Sequence, residues 1–250
     1  MKLNIVPART GLLWVKLGMQ TFLKQPLALT GLFFMYMAAV LVISQVPFIG
    51  PLLGAMLVPA ATLGLMAATS EAASGRFPMP TVLVSAFRAG RQRARAMLVL
   101  GAIYTVGSLV ATLLGSLLTG EPAADAQVPQ MDARTLLVLV LHLPLVILFW
   151  HAPALVHWHG VTPAKSLFFS VVACLRNFPA LLVFCMTWLA IFLGAGMAFG
   201  LLGGMIGGPA AARAVMMPVA LLMAAMFSTS IYFTFRDSFL ASEDNPGEPS

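Results

Sequence analysis

The chain has 250 residues, of which 60% are hydrophobic and 9% charged, and its mean hydropathy is +0.95. A soluble domain carries about a quarter charged residues, so this chain has too few to solvate a globule of its size and must face lipid. The formal charge of +6 raises nucleic acid as a partner, but the basic residues form no soluble basic domain, so they read as membrane anchors and no nucleic-acid role is expected.

The first 26 residues hold no short apolar run followed by a cleavage site, so a cleaved signal peptide is not expected. The segment TGLLWVKLGMQTFLKQP reads as an amphipathic helix. Trp14, Gly18 and Phe22 fall on one side, while Lys16, Gln20 and Lys24 fall on another. Two apolar spans follow, at 27–48 and 51–70. The link QVPFIGP admits only a tight turn, for which Pro47, Gly50 and Pro51 are suited. Next comes a second basic segment, PTVLVSAFRAGRQRARAM. On one helix Arg88, Arg91 and Arg95 share a face, Leu83, Ala86, Phe87 and Met97 face away, and Arg93 breaks the pattern.

The third and fourth spans are expected at 97–118 and 135–156. Between them GEPAADAQVPQMD is acidic and proline-bearing, as a flexible external loop is. The fourth span ends in FWHAPALVHWHG, which holds His151, His157 and His159. A third basic segment, TPAKSLFFSVVACLRNFP, leads to spans at 179–206 and 214–235. Residues 241–250 are polar and expected to be a disordered cytoplasmic tail. The reading is an all-α polytopic bundle of about six transmembrane helices, with residues 1–240 forming one membrane domain. Each pair of spans follows an interfacial basic segment, which is either a threefold repeat or the ordinary consequence of three cytoplasmic entries.

Basic residues orient the bundle. With the N-terminus inside, Lys2, Arg9, Lys16, Lys24, Arg76, Arg88, Arg91, Arg93, Arg95, Lys165, Arg176 and Arg236 lie inside, and Arg134 and Arg213 outside. The positive-inside rule then places both termini in the cytoplasm.

Chemistry is sparse. All eight acidic residues lie outside the spans or at their ends. Glu71 and Asp237 are the nearest to a cytoplasmic acid pair. No zincin, P-loop or nucleophile-elbow motif occurs, and no cofactor or metal is expected. Cys174 and Cys185 have no metal-site spacing. Ser228 and Ser230 read as span serines bonded to their own helix. One helix scatters His142, His151, His157 and His159 around its axis, so they form no metal site; the last two belong to a Trp/His interfacial belt. His142 lies near the middle of its span. It either bonds a neighbouring helix or lines a polar cavity with Tyr36, Gln45 and Tyr104. Gly196, Gly200, Gly204 and Gly208 repeat every four residues, as do Gly107, Ala111 and Gly115. Such stripes permit close helix packing within the chain or against a second copy, or serve as a glycine hinge.

The run APALVHWHGVTPAKSLFFSVVACLRN, with Trp14, Gly18, Phe22 and Pro26 upstream, resembles a family of six-span proteobacterial inner-membrane proteins. The resemblance covers most of the chain. It implies an inner-membrane location and carries no activity over. More distantly, the pattern of surface helix and two spans is similar to the membrane domain appended to some glycerophosphodiester phosphodiesterases, whose catalytic domain has no counterpart here. The expected role is non-enzymatic: lipid or envelope organisation, with Arg88, Arg91, Arg95, Lys16 and Lys24 touching anionic lipids and membrane lipids as partners. The alternative is a transporter or channel for a small neutral or hydrophobic solute.

Overall fold

In the computed structural model the described residues are 2–119 and 133–239. The expectations for the acidic loop at 120–132 and for the tail at 241–250 lie outside them. The elements are α1 (Thr10–Lys24), α2 (Pro26–Ser44), α3 (Gly50–Ala73), a 3-10 turn (Pro80–Val84), α4 (Ser85–Arg88), α5 (Arg91–Thr119), α6 (Ala133–Phe149), α7 (Ala152–His159), α8 (Pro163–Arg176) and α9 (Phe178–Phe239). No strand occurs among the described residues. Five helical stretches are long and apolar enough to cross a membrane. Helices are required there, because lipid offers backbone amides no partner.

The fifth stretch, α9, is a hairpin. Gly207 (φ −148°, ψ 21°) and Gly208 (φ 71°, ψ −163°) leave helical geometry. Only glycine adopts the second of these conformations readily. The arms then pack against each other. Trp188 Nε1 donates to Ser230 Oγ at 3.0 Å, and the Phe184 and Trp188 rings both meet Phe227. Each arm exceeds the roughly 20 residues needed to span lipid. The spans expected at 179–206 and 214–235 fall within these arms.

Two compact units divide the chain, and they interleave along it. The first holds residues 2–37, 64–85 and 173–239. Its centre is α1 laid against α9. Gly11 and Gly18 make that approach possible: a methyl group at Gly11 would lie 2.3 Å from the Ala180 carbonyl oxygen, and one at Gly18 would lie 2.3 Å from Ser230 Cβ. Trp14 is fully buried between them and meets Phe184 edge-on. The amphipathic reading of α1 holds, since Trp14, Gly18 and Phe22 are buried while Lys16, Gln20 and Lys24 are exposed. Its apolar side, however, packs on protein.

The second unit holds residues 38–63 and 86–172. Here α5 packs on α6 and α7. Leu63, Met97, Leu100, Phe149 and Val156 form the core. Gly107 and Gly115 let Leu145 and Val138 of α6 come close, and Ala111 is buried. The small-residue face read at 107, 111 and 115 is the face used.

The second basic segment departs from expectation. It is not one surface helix. α4 ends at Arg88, Gly90 takes φ +101°, and a new helix starts at Arg91. Arg88 therefore shares no helical face with Arg91 and Arg95. Those two stand in the opening turns of α5 itself. The stripe at Gly196, Gly200, Gly204 and Gly208 is used only in its first half. Gly196 and Gly200 face Met216, Gly204 has nothing within 4 Å, and Gly208 sits in the reversal. The tight contacts belong to Gly203, where a methyl would lie 2.7 Å from Ala212 Cα, and to Gly207, 2.7 Å from Ala211 Cβ.

Candidate functional site

The histidine-rich stretch is a repaired helix break. α6 ends at Phe149 and α7 begins at Ala152. Pro153 has no N–H, so the Phe149 carbonyl loses its intrahelical donor. Ser170 of α8 is inserted next to that gap. Its Oγ accepts from the His151 N–H at 3.0 Å and donates to the Ile147 carbonyl at 2.9 Å. One hydroxyl thus bridges the His151 N–H and the Ile147 carbonyl across the break, in a place where His151 and Ser170 are fully buried. His157 and Trp158 stack edge-on at 5.3 Å at the end of α7. Among the described residues no three histidine, cysteine or carboxylate side chains gather as a metal site.

His142 bonds a neighbouring helix. Its Nδ1 lies 2.8 Å from the Val138 carbonyl oxygen, and its Nε2 lies 3.2 Å from Ser108 Oγ on α5. A carbonyl only accepts, so Nδ1 donates to Val138, and the Nε2–Ser108 bond makes the ring a strut between α5 and α6. Tyr104 stands one turn before Ser108, and its ring meets Phe149 edge-on at 5.1 Å. Gln45 is exposed in the turn after α2, and its backbone N–H is bonded to Val42. It is therefore not at mid-span depth. Tyr36 is half-buried on α2.

Polar links also tie the ends of helices in the first unit. Asn177, between α8 and α9, is 1% exposed. Its Nδ2 donates to the Asn4 carbonyl and to Ser238 Oγ, and its Oδ1 accepts from the Val6 N–H. Asp237 accepts from Trp14 Nε1 and pairs with Arg236, so this carboxylate is occupied by structure. Gln25, between α1 and α2, donates to the Arg76 carbonyl. Ser228 and Ser230 bond their own helix at Ala225 and Phe227.

A cavity of about 390 Å³ lies between the start of α5 and the α7–α8 turn. Its lining includes Gln92, Arg93, Arg95, Val99, Gly160 and Thr162. None of His142, Tyr36, Gln45 and Tyr104 lines it, nor do Arg88 and Arg91. Lys16 and Lys24 are exposed on α1.

No family model matches the sequence, and no solved structure matches it. A probable inner membrane protein of Burkholderia thailandensis is 36% identical over 266 aligned positions, covering 100% of this chain and 97% of that relative. This chain belongs to that inner membrane protein's family. An inner-membrane address for the family agrees with the five membrane-length apolar stretches. In this family member the sequence reading found the apolar architecture and missed the hydrogen-bond partners. Ser108 and Ser170 are unremarkable span and surface-helix serines until the fold brings His142 and the α6–α7 break beside them. Arg93 carried a usable signal. It is the arginine that left the expected face, and it borders the cavity.

Proposed function

We propose that this inner-membrane protein is non-enzymatic and organises lipid through the basic residues at its helix ends, with both termini in the cytoplasm. The observation that carries the reading is the state of its arginines. Arg88, Arg91, Arg93 and Arg95 are exposed, and none has an ion-pair or hydrogen-bond partner among the described residues. Near anionic headgroups each such cation contributes about 1 kcal/mol. The positive-inside count supports the orientation.

A transporter would need His142 to face a solute path. Both of its ring nitrogens are engaged by Val138 and Ser108, which supports packing instead. An enzyme would need acidic or nucleophilic groups to converge at the cytoplasmic face; of the candidates Glu71 and Asp237, Asp237 is engaged by Trp14 and Arg236. The test is charge reversal of Arg88, Arg91 and Arg95 to Glu in the full chain. The expected result is normal insertion with lowered retention of anionic phospholipid on purification. Unchanged retention with normal insertion rejects lipid contact by these arginines.

A further inference from the structure

We propose that the cavity between α5 and the α7–α8 turn is a specific site for a phosphate group, supplied by the headgroup of an anionic phospholipid. The inference rests on the lipid reading above and narrows it to one place.

Helical phase shows how the site is built. Gln92, Ala96 and Val99 are spaced four and three apart, so they form one stripe along α5. All three line the cavity. Arg93 lies about 100° to one side of Gln92, and Arg95 about 60° to the other, at 3.6 residues per turn. The two guanidinium groups thus flank the stripe. Arg91 falls outside it and does not line the cavity. Across the cavity is the turn at Gly160. Gly160 takes φ +63° to end α7, and a methyl group there would lie 4.0 Å from Arg93 Nη2. Arg93 therefore reaches the turn.

The charges in the site are unbalanced. Neither Arg93 nor Arg95 has an ion-pair or hydrogen-bond partner among the described residues, and no acid lines the cavity. Two helix starts border it, Gln92 and Arg93 in α5 and Thr162 and Pro163 at α8. Neither helix has an acidic residue in its first turn. Helix starts favour anions and disfavour cations. Arginines stacked on a helix start are unfavourable alone, and an anion between them relieves the repulsion. Paired guanidinium groups match phosphate in geometry as well as charge.

The shape favours lipid over free phosphate as the source. At 1.5 Å per residue the 29 residues of α5 span about 43 Å, against about 30 Å of hydrocarbon. The opening turns project into the headgroup layer. The polar end of the cavity holds Gln92, Arg93, Arg95 and Thr162, whereas Ala96, Val99 and Val156 supply apolar lining. A headgroup with the first carbons of its chains has this division, and free phosphate does not.

The experiment uses the full-length protein, delipidated in detergent and then offered phosphatidylglycerol, phosphatidylcholine or inorganic phosphate, with bound phospholipid counted by native mass spectrometry. The expected result is one tightly retained phosphatidylglycerol and no retained phosphatidylcholine. Arg93→Gln and Arg95→Gln each lower affinity roughly tenfold or more. Val99→Phe, which fills the cavity and leaves both arginines, also abolishes retention. Arg213→Gln, an exposed arginine of α9 away from the cavity, leaves it intact. Inorganic phosphate binding with the same arginine dependence, and no lipid retained, keeps the phosphate site and rejects lipid as the source. Anionic retention that survives Arg93→Gln with Arg95→Gln overturns the cavity and leaves the broader lipid reading standing. Equal retention of phosphatidylcholine and phosphatidylglycerol by the native protein overturns both.

Discussion

Single hydroxyls at Ser108 and Ser170 take on unequal tasks. Ser108 joins two side chains, and hydrogen bonds of this kind between helices in lipid average about 0.6 kcal/mol. His142→Leu should therefore lower stability by about that much and leave the fold intact. A thermal-unfolding series in detergent checks it, and a loss of several kcal/mol would show that His142 does more than brace α5 on α6. Ser170 satisfies two backbone groups at a break that the chain cannot close by itself. Ser170→Ala removes both bonds in a buried place, at a cost of about 1–3 kcal/mol. The same melting experiment should show the larger shift for Ser170→Ala. Sequence periodicity gave no hint of either pairing, because the partners are 34 and 19 residues away and a lone serine carries no pattern. The proline that creates the break was plain in the sequence; the residue that repairs it was not.

At the scale of elements, the first and third basic segments end in comparable junctions, FLKQP and CLRNFP. Gln25 and Asn177 each stand between an amphipathic helix and a long apolar one. Gln25 bonds the chain just beyond α3, at Arg76. Asn177 bonds Ser238 at the end of the second arm of α9. In both cases a junction amide holds the chain at the far end of the pair of apolar segments that follows it. Asn177→Leu removes three bonds and leaves the Val6 amide and the Asn4 carbonyl to find other partners, so a loss of about 1–3 kcal/mol is expected. Limited proteolysis should then cut the chain before α1 more readily, and no change in cleavage would assign Asn177 a lesser role. The amphipathic faces of these helices were legible from their 3.6-residue period. The break at Gly90 was not, since an isolated glycine is tolerated in a helix and only its φ of +101° ends the run. The four-residue glycine stripe misled for another reason: at 3.6 residues per turn the face that carries Gly196 and Gly200 continues at Gly203 and Gly207, not at Gly204 and Gly208.

At the scale of the molecule, composition decided the solvent, and the count of basic residues sets the orientation proposed above. Both are sums over many residues, so no single misplacement upsets them. The orientation can be read with thiol reagents in a chain whose Cys174 and Cys185 are replaced by Ser. Phe48 is 97% exposed in the α2–α3 turn, and Ser74 is exposed beyond α3. Phe48→Cys should react with an impermeant maleimide applied to intact spheroplasts, and Ser74→Cys only after the membrane is opened. The reverse pattern would invert the topology.

Trp14 bonds Asp237 across 223 residues of sequence, and this places a clock on biogenesis. At about 5–20 residues per second, roughly 10 to 45 seconds separate the synthesis of the two partners. For that interval α1 exists without the helix it belongs to, and its Trp14 face must be sheltered by headgroups or by an insertion factor. Every chain released before its last helix is made leaves Trp14 without its Asp237 partner.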